Sequence, residues 1–271
     1  LCLFTYHAVR IRRGVAWENL RRSLGSELPE KELKRILRES YVSIGMTFIE
    51  MLLIPELSGR LTEVVDISEI SVLRRAFERG KGVMLISGHF GSWELNGASI
   101  GRAGFPLTVV AKRQSNPFVD AWIQHNRESM NMRIIAPGAS VKHIIRALKD
   151  GEAVGLISDQ DAGARGIFVN FFGRPASTPR GGAELALKYG LPVVVSMTAR
   201  TGPGKYRSFF QEIEVLENDT VASLTQRYTA AMEKIIRKYP DQYFWMHRRW
   251  KTRMRQEKEN AEQAADAGGE T

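Results

Sequence analysis

Two spacings of apolar residues divide this chain. Over the first 56 residues the spacing is helical: Leu33, Ile36, Leu37, Ser40, Tyr41, Ile44 and Phe48 recur at intervals of three and four, behind Pro29 and a group of acids. Residues 48–54 are more apolar than the rest of that segment. From residue 64 onward short apolar, often β-branched runs take over, at 64–67, 83–86, 107–111, 133–136, 154–158, 167–171, 193–198 and 209–215. Helix-like stretches lie between most of them, at 71–78, 93–101, 117–130, 141–148 and 182–189. The alternation predicts an α/β fold: a mostly parallel central sheet flanked by helices and preceded by N-terminal helices. A last amphipathic helix is expected over 220–239, with Val221, Leu224, Tyr228, Met232, Ile235 and Ile236 on one side and Pro240 stopping it. Residues 256–271 have almost no apolar content and are expected to be disordered. The expected organisation is a helical, membrane-proximal segment over 1–56, an α/β domain over 57–255 and a tail over 256–271.

Composition narrows the classes. The chain has 271 residues, 43% hydrophobic and 25% charged, enough for a sizeable core. Its single cysteine, Cys2, excludes an internal disulfide framework and fits a reducing compartment. No apolar run reaches the roughly 18 uninterrupted residues of a membrane helix. A net charge of +9 predicts attraction to anionic partners. The charge gathers at residues 10–22 and 247–255, where Trp17, Trp245 and Trp250 stand among arginines and lysines. Basic residues beside tryptophan fit a membrane interface; a solvated basic face is the plainer alternative. No nucleic-acid-binding signature is present, and nucleic acid is not an expected partner.

The chemistry concentrates in KGVMLISGHFGSWELNGASI, residues 81–100. A buried strand here ends in Gly88-His89, at the carboxyl end of the sheet where open α/β folds bind ligands. Five residues apart on one helix, His89 and Glu94 would face about 140° away from each other. They converge only if His89 precedes the helix, with Ser92 near its N-cap and Glu94 in its first turn. A carboxylate there, favoured by the helix dipole, would accept the imidazole N–H and free the other ring nitrogen to take a proton. The expected catalytic pair is therefore His89 as general base and Glu94 as its orienting acid. A bare spacing of this kind recurs by chance, so its neighbours matter.

Later segments also run from a strand into polar residues. VVAKRQSNP delivers Lys112, Arg113 and Asn116, fitted to a phosphate or carboxylate. LISDQDAGARGIFVNFFGRPASTPR carries Asp159, Gln160, Asp161, Arg165 and Arg180. An Asp-x-Asp pair without a third ligand in register is a poor metal site. Asp159 and Asp161 are expected instead to pair with Arg165, Arg174 or Arg180, and no metal or cofactor is expected. GLPVVVSMT reads as a helix end followed by a structural strand.

Together these blocks resemble the lysophospholipid acyltransferase superfamily and, within it, the lipid A biosynthesis (late, or secondary) acyltransferases. HFGSWE is similar to the family's His-x4-acid block, KRQSNP to its second block, DQDAGARGIFVNFFGRPASTPRG to its third and GLPVVV to its fourth; WMHRRWK resembles its C-terminal signature. The resemblance runs over about residues 12–251. It implies a glycerolipid acyltransferase-like fold and transfer of a fatty acyl chain from an acyl-acyl carrier protein or acyl-CoA thioester to a hydroxyl of an anionic glycolipid, in lipopolysaccharide biosynthesis. The implied place is the cytoplasmic face of the inner membrane. Family members usually carry an N-terminal membrane helix, of which residues 1–6 would be only the tail. Lys112, Arg113 and Asn116 would hold the acceptor headgroup, with Asp159, Gln160, Asp161, Arg165 and Arg180 completing the binding site. A chain of about twelve carbons gains about 10 kcal/mol when its methylenes leave water. The site is therefore expected to open near an apolar groove or a bilayer, with residues 48–54 and the Trp/Arg patches as contacts. Two alternatives use the same residues: a thioester or ester hydrolase working on water, and a non-enzymatic basic module binding anionic lipid.

Overall fold

The computed structural model describes residues 6–7, 10–111, 114–136 and 141–253. Cys2, Lys112, Arg113 and the tail from 256 onward, with the expectation of disorder made for it, lie outside the described residues. The chain enters through helices α1 (Arg13–Leu24) and α2 (Glu30–Leu57) and two further short turns, Ser58–Arg60 and Leu61–Val64. It then forms β1 (Val65–Asp66), α3 (Ser71–Phe77), β2 (Val83–Ser87), α4 (Trp93–Arg102), β3 (Leu107–Val110), α5 (Pro117–Ser129), β4 (Met132–Ile135), α6 (Val141–Lys149) and β5 (Ala153–Ile157). The hairpin β6 (Ile167–Phe171) and β7 (Arg174–Thr178) stands apart from the main sheet. Helix α7 (Gly181–Tyr189), strands β8 (Val193–Gly202) and β9 (Lys205–Ile213) and helix α8 (Val221–Lys238) complete it.

The main sheet has the order β1-β9-β8-β2-β5-β3-β4, parallel throughout except for the β8–β9 hairpin. This is the α/β architecture that the alternation predicts. β2 is central and every residue of it is buried, as a strand covered on both faces must be. Its side chains alternate between two cores: Met84 and Ile86 join α1, α2, α7 and α8, while Val83 and Leu85 join α3, α4, β3 and β4. Helix α2 reaches from one core to the other, with Leu33, Ile36 and Tyr41 in the first and Ile54 in the second.

Pro29 precedes α2 directly, as its helix-opening role requires. The helix runs 28 residues and is long and apolar enough to cross a membrane by length and composition. In this fold its last turns have two unlike faces. Thr47, Glu50 and Ile54 are buried, whereas Phe48, Ile49, Leu52 and Leu53 are exposed. The reading of 247–255 as a tryptophan-studded basic surface holds for the exposed Arg248, Lys251 and Arg253 but needs correction at two residues. Trp245 and Arg249 are among the most buried side chains, with the indole N–H of Trp245 donating to the Pro240 carbonyl at 2.7 Å.

Candidate active site

β2 and β5 lie side by side in parallel, with Ser87 opposite Ile157. Each strand therefore releases its chain at the same edge, and two residues further on come His89 and Asp159. The His89 backbone N–H donates to Asp159 Oδ2 at 2.9 Å, and its Nδ1 lies 2.8 Å from Asp159 Oδ1. Asp159 is almost wholly buried, while a quarter of the His89 side chain remains exposed. Burial alone would push the imidazole pKa down, but the charge and hydrogen bond of Asp159 outweigh it and hold it above the ordinary 6.5. Asp159 is correspondingly held below its usual 3.8: burial opposes this, and His89 and Arg249 overcome it. An ionised Asp159 fixes the proton on Nδ1 and leaves Nε2 with its lone pair. The Gln160 amide nitrogen is 3.4 Å from each ring nitrogen, a longer and weaker contact than the 2.8 Å one with Asp159.

Glu94 stands where the sequence puts it, in the first turn of α4 behind Ser92 as N-cap. The expectation that it orients His89 is corrected by the structure. Its carboxylate is engaged by Arg127 of α5, with Nε–Oε2 at 3.0 Å and Nη2–Oε1 at 2.5 Å, both side chains largely buried. This two-pronged contact engages both carboxylate oxygens, while the imidazole Nδ1 is engaged by Asp159 instead.

Asp159 has a buried surround. The Tyr243 phenol, pushed well above its usual value by burial and by the nearby Asp159 carboxylate, stays protonated. The Arg249 guanidinium lies nearby, anchored on the Ser177 carbonyl and the Thr178 hydroxyl. Tyr243 comes from a segment that pairs with the histidine turn, where the Phe244 N–H donates to the His89 carbonyl at 3.1 Å.

The other expected residues separate. Asp161 accepts from the backbone and hydroxyl of Thr252 at 3.2 and 2.9 Å, and its own N–H donates to His247 Nε2 at 3.0 Å. It ties down the C-terminal segment. Arg180 pairs with Glu184 at 2.7 Å, Arg165 is exposed, and the Arg174 guanidinium lies over the Trp250 ring at 4.5 Å. The expected pairing of the aspartates with these arginines is therefore replaced by the contacts with His89 and Thr252. The Asn116 side chain caps α5, accepting from the N–H groups of Phe118 and Val119. Arg127, Tyr243 and Arg249 were not singled out as site residues by the sequence. WMHRRWK contained a signal for Arg249, whose cluster was read as surface.

Beside His89, across the Trp93 ring that packs edge-on to it at 5.5 Å, opens a narrow pocket of about 80 Å³. Ser87, Glu94, Asn96 and Arg127 are its polar lining, and Leu85, Leu107, Val109 and Met132 belong to its apolar lining. Gly155 of β5 keeps it open: a Cβ there would come within 3.3 Å of Val109.

A histidine with one ring nitrogen left free, beside a mostly apolar pocket, is an arrangement that enzymes acting on acyl groups can use. Comparison with known proteins narrows it. The family model for bacterial lipid A biosynthesis acyltransferases matches residues 3–252. The chain is similar to the lipid A biosynthesis palmitoleoyltransferase of Escherichia coli K12, 29% identical over 89% of this chain and 79% of the relative. With the lauroyltransferase of the same organism the identity is 30%, over 84% and 75%. With the phosphatidylinositol mannoside acyltransferase of Mycolicibacterium smegmatis it is 25%, over 86% and 79%. The chain belongs to the bacterial lipid A biosynthesis acyltransferase family, and it is an acyltransferase.

Proposed function

We propose that this enzyme moves a fatty acyl chain from an acyl thioester, carried by acyl carrier protein or coenzyme A, to a hydroxyl of a lipid A precursor or a related anionic glycolipid. The observation that carries the mechanism is the 2.8 Å contact between His89 Nδ1 and buried Asp159, which leaves Nε2 as the base. In this reading Nε2 takes the proton of the acceptor hydroxyl as its oxygen attacks the thioester carbonyl. The carbon–sulfur bond then breaks, and the imidazolium returns the proton to the leaving thiolate. Asp159 orients the ring and stabilises its cation. The pocket next to Trp93 would take the acyl chain, with the Glu94–Arg127 ion pair at its polar lining fixing the reacting end. Lys112 and Arg113 follow β3, whose last residues line the pocket, and are assigned to the acceptor's phosphate.

The exposed apolar face of α2 is assigned to the lipid surface from which the acceptor comes, at the cytoplasmic face of the inner membrane. Phe118 and Val119, at the start of α5, are also exposed, and α5 packs against α2. Apolar side chains on two touching helices form a surface fitted to acyl chains rather than to water.

The test is mass spectrometry of a lipid A precursor incubated with acyl thioesters and either the wild-type enzyme or His89→Ala. The expected result is one added acyl group with wild type and a rate lower by about 10²–10⁴-fold in the variant, with the fold intact. Free fatty acid without an acylated product would make the enzyme a hydrolase. Undiminished transfer by His89→Ala would remove the base from this mechanism.

A further inference from the structure

We infer that Thr47, Glu50 and Arg200 form a positioning device that holds the turn between His89 and α4 through the carbonyl of Gly91. The inference rests on the reading of His89 as the reacting base.

Gly91 is the pivot of that turn. Its φ is +51°, and a Cβ would lie 2.0 Å from the Thr198 carbonyl oxygen, so the position admits glycine alone. Its N–H donates to the Gln242 carbonyl at 2.9 Å, and the following Ser92 N–H to the Thr198 carbonyl at 3.0 Å. Its own carbonyl points to α2, where it accepts from the Thr47 hydroxyl at 2.8 Å and from Arg200 Nη2 at 3.3 Å.

The donors are themselves fixed. Arg200, at the end of β8, forks onto Glu50 with Nε–Oε1 at 2.5 Å and Nη2–Oε2 at 2.6 Å, and reaches Ser43 Oγ at 2.8 Å and Thr47 Oγ1 at 2.6 Å. Tyr206 donates to the same Glu50 oxygen at 2.9 Å. Because Arg200 donates to the Thr47 oxygen, the single hydroxyl proton of Thr47 is free to point at an acceptor. The Gly91 carbonyl is nearer than the usual helical acceptor, the Ser43 carbonyl at 3.0 Å.

An ion pair buried at this depth gains little stability over apolar side chains of the same size. What it supplies is direction: two donors aimed at one carbonyl oxygen, two residues after His89 and three before Glu94. The opposite face of the same helical turns carries Phe48, Ile49, Leu52 and Leu53. The helix assigned to the lipid surface therefore also grips the catalytic turn.

The variants Thr47→Val and Thr47→Ser test this in the full chain. Valine keeps the shape and removes the donor, whereas serine keeps the donor. Steady-state acyl transfer is followed by mass spectrometry, and amide exchange at Gly91 and Ser92 by NMR. Thr47→Val is expected to lower kcat by about 10- to 100-fold with KM for the thioester little changed, and to speed exchange at both amides. Thr47→Ser is expected to restore most of the rate and the slow exchange. Wild-type kcat in Thr47→Val, unchanged exchange, or equal losses in both variants would overturn the inference. If the wild-type enzyme transfers no acyl chain, the assigned reaction fails, and the exchange measurement still decides whether Thr47 holds the turn.

Discussion

A base that leans on a buried carboxylate has its working pH set by that partner. Because Asp159 holds the His89 pKa above 6.5, the imidazole is neutral, and able to accept a proton, only above that raised value. The acid limb of kcat/KM is expected above pH 6.5. Asp159→Asn removes the charge and leaves the burial, so the limb should move below 6.5 while the plateau falls by about 10²–10⁴-fold. Stability runs the other way. A raised histidine pKa contributes stability that is complete below about pH 6.5 and is lost as pH rises through the folded value. The lowered Asp159 pKa contributes above about 3.8 and is lost as pH falls through its folded value. The pair therefore stabilises most on the acid side of the pH where it is active. The decline in melting temperature above pH 6.5 attributable to His89 should be absent in His89→Ala. Glu94→Gln provides the contrast. It leaves Arg127 without its carboxylate and should reduce kcat by about 10²-fold, yet leave the acid limb in place, because Glu94 does not touch the imidazole. A limb shifted by Glu94→Gln would return Glu94 to the role of orienting His89. Sequence reasoning reached His89 and Glu94 because both sit in one block. It could not choose His89's partner, because that choice is made by the register of β2 against β5, 70 residues away in the chain. In the structure Asp159 follows β5 by the same two residues as His89 follows β2, a match that the expected runs at 83–86 and 154–158 do not show.

Elements were more legible than contacts. The expectations for β1 to β5 fall within a residue of the observed bounds, since burial and β-branching act locally, whereas β8 and β9 run four residues further into their shared hairpin than the apolar runs at 193–198 and 209–215 indicate. β7 was missed because RPAST contains a proline and small polar residues and lacks an apolar run; it is a strand only through pairing with β6. The pocket has the same character, being assembled from α4, α5, β3, β4 and β5 around a glycine that no periodicity marks. Its depth is where an acyl chain would be measured. Gly155→Val would place a branched side chain beside Val109 and Leu107, where a Cβ alone already approaches to 3.3 and 3.5 Å. The variant should shift the preferred donor toward shorter chains, read by competing thioesters of different length in one reaction. An unchanged preference would mean that the chain lies elsewhere. Overpacking of this kind also costs about 1–3 kcal/mol, so the melting temperature should be recorded beside the product distribution.

At the scale of the whole molecule two attractions would act on the proposed lipid surface by different physics. The net charge of +9 acts over about a Debye length and weakens with salt. The exposed Phe48, Ile49, Leu52 and Leu53 act only in contact and are indifferent to salt. The two contributions can be separated in vesicle binding. Wild-type protein should bind anionic vesicles more tightly than neutral ones, with the difference fading between low and high salt. The double variant Phe48→Asp/Leu52→Asp should lose binding to both kinds, because burying each side chain is worth about 1.5–3 kcal/mol and a carboxylate reverses the preference. Both positions lie on the outer face of α2, opposite Thr47 and Glu50, so melting temperature should change little. If binding to neutral vesicles survives the double variant, the apolar face of α2 is not the lipid contact, and a surface elsewhere must bring the acceptor hydroxyl to His89. If it is lost while transfer to a detergent-dispersed acceptor persists, the helix delivers the enzyme to the lipid and the chemistry belongs to the sheet edge alone.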